Sequence, residues 1–359
     1  MIAPIRDAVE RWGVAVAAVA LGVLTLAGTF DASEARPGPR APRAASPARP
    51  ARPLPRRAAA PVPTARPTGQ VAIGAYIPGA TRQPGLIDSY SRGTGRPPAI
   101  LVYYRSWQGS PLFDDVTLRR VTRGGAIPLV TWEPWREPLT AIAAGRYDRY
   151  IRAQALAARG WGRPLLVRFG HEMNGDWYPW GAGANRPAAY IAAWHHIVRV
   201  FRHERADNVR WVWAPNAEHD SQRLLLSLYP GDRFVDWVAL SGFDWGGPWL
   251  WESALHAFGN SYRALTRLTR KPLMIVETAA GEVGGNKPRW ITRTFGSDLR
   301  RMPRVRAVVW FNGRAHWANW SVNSTPASLR AFRTAVASRR YSGTAADVQQ
   351  LSGLGAIAP

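Results

Sequence analysis

Short apolar runs alternate with longer amphipathic stretches along most of the chain. Each run has four to eight residues, is rich in Val, Ile and aromatic side chains, and is mostly apolar rather than apolar at every second position. Such continuous runs are typical of strands that are buried on both faces of a parallel sheet. Eight runs have this character: 71–77, 99–104, 126–132, 165–169, 209–213, 235–240, 273–276 and 307–311.

The stretches between the later runs carry the periodicity of helices. Segment 187–205 places Tyr190, Trp194 and Ile197 three or four positions apart, and its Pro187 suits a first helical turn. Four further segments are similar: 147–159, 253–269, 288–301 and 326–338. The connections after the first and second runs are less clear.

Eight strands alternating with helices over residues 70–342 predict an α/β fold of the (β/α)8 or TIM barrel type. An open, doubly wound sheet is the alternative. No Gly-rich phosphate-binding loop follows the first run, which argues against that alternative. We assign residues 343–359 to a C-terminal tail.

The N-terminus has a different character. Residues 13–30 carry no charge, two arginines precede them, and Ser33-Glu34-Ala35 is a plausible cleavage site. We interpret residues 1–35 as a secretory signal peptide, with an uncleaved membrane anchor as the alternative. Residues 36–69 are almost entirely Pro, Ala and Arg, a composition that predicts a disordered, extended linker. We therefore expect a secreted or cell-surface protein.

Composition narrows the classes of partner. The chain has no cysteine, which excludes disulfides and thiolate metal sites, and its 18 tryptophans exceed the needs of a core of this size. The net charge of +23 is nearly all arginine, but it is dispersed beyond the linker rather than gathered on one helix. We therefore expect no nucleic-acid partner, while the linker could tether the protein to a membrane or cell surface.

Two glutamates follow predicted strands directly. Glu172 comes after the fourth run, within His171-Glu172-Met173-Asn174, and Glu277 follows the apolar seventh run. In a barrel the carboxyl ends of the strands share one rim, where the active site lies. Two carboxyl groups at that rim suit glycoside cleavage, with Glu277 as nucleophile and Glu172 as general acid/base. A salt bridge from Glu277 to one of the many arginines is the alternative.

Aromatic and polar residues at the same predicted rim suit a sugar site, because indole rings stack on pyranose faces. A plain core position is the alternative for about half of the tryptophans. The candidates for substrate binding or for positioning Glu172 are His171, Asn174, Trp177, Trp180, Trp132, Glu133, Asp244, Trp245 and Trp249. No histidines have metal-ligand spacing, and we expect neither a metal nor a cofactor.

The motifs taken together resemble glycoside hydrolase family 26, the β-mannanase family of retaining (β/α)8 glycosidases. The resemblance rests on the segment 171–181 with its His-Glu-Met-Asn-Gly motif, and on segments 211–216, 229–238 and 271–277. It implies that Glu172 is the acid/base, Glu277 the nucleophile, Trp177 an aromatic near the cleavage site, and Trp310 a platform for the preceding sugar.

One residue departs from the family pattern. Family members commonly place a Tyr at the end of strand 6, where its hydroxyl contacts the nucleophile, and the aligned residue here is Phe243. Asp244 or another group must then supply the contact, or the register differs, or activity is altered.

The resulting expectation is a monomeric retaining endo-β-glycanase that acts on a polysaccharide, with β-1,4-mannan as the first candidate. Mixed-linkage β-glucan and β-1,3-xylan are the alternatives within the family. A non-catalytic glycan-binding protein is a further alternative, motivated by Phe243.

Overall fold

The computed structural model describes residues 69–109, 111–217, 222–245, 251–314 and 318–353. Eight parallel strands form a closed barrel in which each strand pairs with its neighbours in sequence and the first pairs with the last. The predicted (β/α)8 barrel is therefore confirmed. The strands are β1 (Ala72–Tyr76), β2 (Ile100–Ser106), β3 (Ile127–Glu133), β4 (Leu165–Phe169), β5 (Val209–Trp213), β6 (Trp237–Ser241), β7 (Leu273–Thr278) and β8 (Val305–Phe311).

Helices connect the strands and form the outer layer. They include one helix in each of the two connections whose structure the sequence left unclear. The helices are α1 (Gly85–Thr94), α2 (Asp115–Thr122), α3 (Leu139–Ala143), α4 (Asp148–Trp161), α5 (Pro187–His203), α6 (Arg223–Ser227), α7 (Ala254–Leu268), α8 (Lys287–Arg293), α9 (Pro326–Val336) and α10 (Ala345–Leu351). A π-helical turn (Thr294–Asp298) and a 3-10 turn (Leu299–Arg301) continue α8, and a second 3-10 turn (Arg339–Tyr341) follows α9.

Alternate residues of each strand face two different cores. One set, such as Val102, Leu129 and Val309, fills the barrel interior, and the other set packs beneath the helices. This alternation follows from the pleat of a strand, which sends successive side chains to opposite faces. The side chain at the mouth end of each strand therefore enters the site only if it shares the inward phase.

The N-terminal end of the barrel is closed by the last helix. Val348 of α10 joins the interior core, and the indole Nε1 of Trp237 donates to Ser352 Oγ at 2.8 Å. The backbone of Gly343 bridges to Ala72 in β1. Part of the predicted tail thus packs against the barrel, and the opposite end is left for the site.

The predicted signal or anchor segment and residues 36–68 of the linker lie outside the described residues, as does Trp249. Within the described ranges, no helix is long and apolar enough to cross a membrane.

Candidate active site

Glu277 reaches the barrel mouth because strand β7 is irregular. Met274 and Val276 face the interior, so regular alternation would send Glu277 outward. Between the pairs Leu240–Ile275 and Ser241–Glu277, β7 advances by two residues while β6 advances by one. The pairing of β7 with β8 also shifts over this stretch. An extra residue of this kind is a β-bulge, which re-aims a side chain.

The Glu277 carboxylate is held by two donors from across the barrel. The Tyr104 hydroxyl donates to its Oε1 at 2.6 Å, and the Arg168 guanidinium forms a fully buried ion pair with the same oxygen. Arg168 Nε also donates to Thr131 Oγ1 at 3.0 Å. The salt bridge that we considered as an alternative role for Glu277 is present, and it lies inside the mouth.

Tyr104 supplies the hydroxyl contact that Phe243 cannot make. Neither Tyr104 nor Arg168 was among the residues predicted for the site. The alternation of side chains along the strands could have identified both. Tyr104 lies two positions after the inward residue Val102, and Arg168 lies two positions after the inward residue Leu166. An arginine inside an otherwise apolar, buried strand needs a partner, and here the partner is Glu277.

Glu172 sits just after β4 in a strained backbone conformation. Its φ is +51°, in the left-handed region that non-glycine residues rarely adopt, and its N–H donates to Ala214 O at 2.8 Å. The side chain accepts from Trp177 Nε1 at 2.9 Å and from Asn216 Nδ2 at 3.1 Å. Strain at such a position is common at functional sites.

Burial sets the proton affinity of Glu172. Burial raises the pKa of Glu172 to about 7, and the charge of Glu277 acts in the same direction. The hydrogen bonds from Asn216 and Trp177 and the charge of Arg168 oppose the shift. A carboxyl group with a pKa near neutrality can hold and release a proton at physiological pH, as a general acid/base must.

Of the two polar residues that flank Glu172 in its motif, Asn174 supports Glu172 indirectly, whereas His171 contacts Tyr178. His171 is buried with its Nε2 3.1 Å from the Tyr178 hydroxyl, and burial together with the nearby charge of Arg168 holds the pKa of His171 well below its usual range. Asn174 exchanges two hydrogen bonds with the backbone of Asn216, at 3.0 and 2.8 Å. It therefore fixes the residue that donates to Glu172.

An aromatic wall lines the side of the mouth formed by β1, β6 and β8. Phe243 is half-buried and packs against Trp245, Phe311 and Trp320, with ring centroids 5.4–5.5 Å apart. Tyr76 stacks on Phe311 at 4.6 Å. Phe243 therefore forms part of this wall and has no hydroxyl group with which to contact Glu277.

Three of the tryptophans predicted to bind sugar do not have a free ring face. Trp132 stacks on Trp107, Trp310 packs between Trp290 and Phe332, and Trp180 stacks on Tyr178; all three predicted residues are at most 1% exposed. The prediction of a sugar platform at these positions is wrong. For Trp132 and Trp310 the cause is strand phase, since both point toward the helices.

The remaining candidates lie near the mouth. Trp177 and Trp245 are half-buried. Asp244 is buried, and its Oδ2 accepts from the Glu252 N–H at 3.2 Å. Glu133 ends β3 inside the mouth. No group of three or more His, Cys, Asp or Glu side chains within the described ranges could hold a metal ion.

Comparison with known proteins identifies a matching family and several relatives. Residues 150–284 match the model of the family described as Glycosyl hydrolase family 26, which confirms the resemblance seen in the motifs. Endoglucanase H of Acetivibrio thermocellus is 39% identical over 60% of this chain and 25% of its own length. Mannan endo-1,4-beta-mannosidase A and B of Caldalkalibacillus mannanilyticus is 33% identical over 39% of this chain and 25% of its own length.

Solved structures show the same fold. The catalytic domain of the GH26 endo-beta-1,4-mannanase of Bacillus sp. JAMB-750 has a TM-score of 0.63 and 16% identity, over 79% of this chain and 89% of that domain. A modular endo-beta-1,4-mannanase from Cellulomonas fimi has a TM-score of 0.61 and 17% identity, over 80% and 74%. The matched part of the chain spans only about a quarter of the length of each of these two curated relatives.

Proposed function

We propose that this chain, whose residues 150–284 match glycoside hydrolase family 26, is a retaining endo-β-glycanase. The observation that carries the proposal is the pair of mouth glutamates in contrasting settings. Glu277 is ion-paired with Arg168, whereas the side-chain donors to Glu172 among the described residues are the neutral Trp177 and Asn216. Retaining glycosidases need one carboxylate nucleophile and one carboxylic acid, about 5–5.5 Å apart.

The first step forms a glycosyl-enzyme. A Glu277 oxygen attacks the anomeric carbon, and the glycosidic bond breaks as the proton of Glu172 passes to the departing oxygen. The bulge directs Glu277 toward this carbon, and the Tyr104 hydroxyl fixes Oε1 so that the carboxylate does not rotate away. Positioning of this kind removes part of the entropic barrier.

The second step releases the sugar with its original configuration. The Glu172 carboxylate now accepts a proton from water, whose oxygen attacks the same carbon and breaks its bond to Glu277. Glu172 regains its proton, and Glu277 becomes a carboxylate again beside Arg168. The pKa of about 7 allows Glu172 to serve in both directions.

The first candidate substrate is β-1,4-mannan. It is supported by relatives and fold neighbours whose names are those of mannanases. Mixed-linkage β-glucan is the second candidate, because the relative named Endoglucanase H has the higher identity, 39% against 33%. That name belongs to a protein about four times as long as the matched segment, so it does not assign an activity to that segment.

The test is a substrate panel with a matched control. Release of reducing ends from mannan, mixed-linkage β-glucan, β-1,3-xylan and β-1,4-xylan is compared for the wild type, Glu277→Ala and Glu204→Gln, the last being a change in the half-buried ion-pair partner of Arg152. We expect hydrolysis of mannan or β-glucan that Glu277→Ala loses and Glu204→Gln keeps. Binding without hydrolysis by the wild type would favour a glycan-binding protein instead.

The stereochemistry of the first product tests the mechanism separately. Proton NMR recorded during early hydrolysis of a soluble oligosaccharide should show the β-anomer before mutarotation. An initial α-anomer would rule out the nucleophilic role of Glu277.

We also propose export of the protein and its attachment to the cell surface through the N-terminal segments. They are supported by the uncharged stretch 13–30 and by the arginine-rich linker of residues 36–69. Fractionation of producing cells at low and high salt, with and without residues 36–69, tests them. Retention at the cell surface that does not change on deletion would contradict a tethering role, and a monomeric mass in solution is expected throughout.

A further inference from the structure

A third glutamate lies in the mouth beside the two already described. Glu133 is the last residue of β3 and shares the inward phase of Ile127 and Leu129. Its side chain is 5% exposed, and neighbouring Thr131 binds the Arg168 guanidinium that pairs with Glu277. Glu133 is therefore part of the same chamber and not of the outer core.

One oxygen of Glu133 lacks a protein partner. Oε2 accepts from Trp135 Nε1 at 3.3 Å, a long hydrogen bond, while no donor among the described residues reaches the buried Oε1. Leaving a buried acceptor unpaired costs stability, so such an atom at the mouth of a site points to a donor on the ligand. By contrast, both oxygens of Glu172 already accept hydrogen bonds from side chains.

The surroundings of Glu133 indicate which part of the substrate it faces. The charges that act on it are those of Arg168 and Glu277, and burial raises the pKa of Glu133 to about 7. Burial and the charge of Glu277 raise the pKa of Tyr76, and the charge of Glu133 acts in the same direction. Glu133 thus belongs to the nucleophile's neighbourhood, next to the sugar that becomes bonded to Glu277.

The chemistry of the ligand group follows from this setting. The atom must be a donor, and a substrate of the glycosidase proposed above offers neutral hydroxyl groups rather than cations. A sugar hydroxyl meets both requirements, and it can also accept a proton from the carboxyl group when Glu133 is protonated. A carboxylate or phosphate on the ligand would be repelled by Glu277 and Glu133 together.

We propose that Glu133 binds a hydroxyl group of the sugar unit that is transferred to Glu277, and thereby selects substrates by the position of that hydroxyl. The proposal rests on the glycosidase function proposed above. It makes Glu133 a specificity residue for the glycone, separate from the proton transfer carried out by Glu172.

The test uses binding, so that it does not depend on turnover. In the Glu277→Ala background, titration calorimetry measures the affinity for a gluco- or manno-oligosaccharide that the wild type cleaves. Adding Glu133→Leu should weaken binding about 10- to 100-fold, the effect of losing a hydrogen bond to a carboxylate. Adding Glu204→Gln should leave binding unchanged.

Deoxy substrates identify the hydroxyl. For a set of oligosaccharides that each lack one hydroxyl on the transferred unit, kcat/KM is compared between wild type and Glu133→Leu. The wild type should discriminate against one analogue, and Glu133→Leu should lose that discrimination alone while keeping the rest. A purely structural role would lower kcat/KM for every analogue by the same factor and would contradict the proposal.

Other outcomes are equally decisive. If Glu133→Leu does not fold, Glu133→Gln keeps the shape and should weaken binding about 3- to 10-fold, because a neutral hydrogen bond replaces a charge-assisted one. Unchanged binding and unchanged discrimination in Glu133→Gln would overturn the proposal while leaving the glycosidase function intact. A wild type that neither binds nor cleaves any polysaccharide in the panel would overturn the function itself.

Discussion

The two catalytic candidates occupy the same rim but have opposite surroundings. Glu277 contacts a buried guanidinium and a phenol hydroxyl. Glu172 contacts an indole N–H and an amide N–H, and burial raises its pKa to about 7. Two carboxyl groups whose environments differ in this way can take the roles of an ion-paired nucleophile and a proton donor in one site.

The backbone geometry that brings each glutamate to the mouth differs as well. Glu277 depends on an irregular strand, because a regular β7 would direct it toward the helices. Glu172 itself has a φ of +51° and lies three residues beyond the end of β4. Each carboxyl group therefore reaches the mouth through a local departure from ideal geometry, and neither is a product of regular alternation.

The largest expected effect is that of Glu277→Ala. Without the nucleophile no glycosyl-enzyme forms, and kcat should fall on the order of 10⁴-fold or more, as for other covalent catalysts. Added azide should then attack the anomeric carbon directly from the vacated side and give the α-glycosyl azide. Recovery of a β-glycosyl azide would reverse the assignment of the two glutamates.

Glu172→Ala should have a smaller effect that depends on the leaving group. Loss of the general acid should lower kcat on polysaccharide by about 10²–10⁴-fold, whereas an aryl glycoside whose leaving group needs no proton should glycosylate the enzyme at close to the normal rate. Azide should intercept the glycosyl-enzyme and give the β-glycosyl azide. Equal losses on both substrate types would contradict an acid/base role.

Arg168→Leu tests the charged half of the comparison through stability. The change leaves Glu277 as a buried carboxylate without its ion pair, and the free energy of unfolding should fall by about 3–5 kcal/mol. Urea unfolding followed by tryptophan fluorescence measures the difference. The double variant Arg168→Leu/Glu277→Leu removes both charges and should regain part of the loss; a double variant less stable than the single one would contradict the account.

The sequence predicted the barrel because its evidence is local: each strand is a short apolar run that can be recognised alone. It also predicted Glu172 and Glu277 as a pair. The assignments of tryptophans as sugar platforms were less successful, because a shift of one residue along a strand moves a side chain from one core to the other. Trp310 was assigned as a platform, but its neighbour Phe311 is the residue that points inward.

The partners of Glu277 could not be assigned from sequence alone. Tyr104 lies 173 positions away and Arg168 lies 109 positions away, and only closure of the barrel brings them together. The bulge in β7 is equally invisible in an apolar run. An inward arginine in β4 was the available signal, and it predicted a buried partner without naming it.

The smallest expected effect, Trp177→Phe, tests the neutral half of the comparison. The indole N–H lowers the pKa of Glu172 by bonding to its carboxylate form, so its removal should raise that pKa above about 7. Because the free enzyme must carry a protonated Glu172, kcat/KM is lost as pH rises through this pKa, and the basic limb should move upward by about one pH unit. The control Trp161→Phe changes an indole at the end of α4, far from the mouth, and should leave the limb in place. A basic limb that stays fixed or moves downward in Trp177→Phe would mean that another group controls the acid form, and would remove the basis for contrasting Glu172 with Glu277.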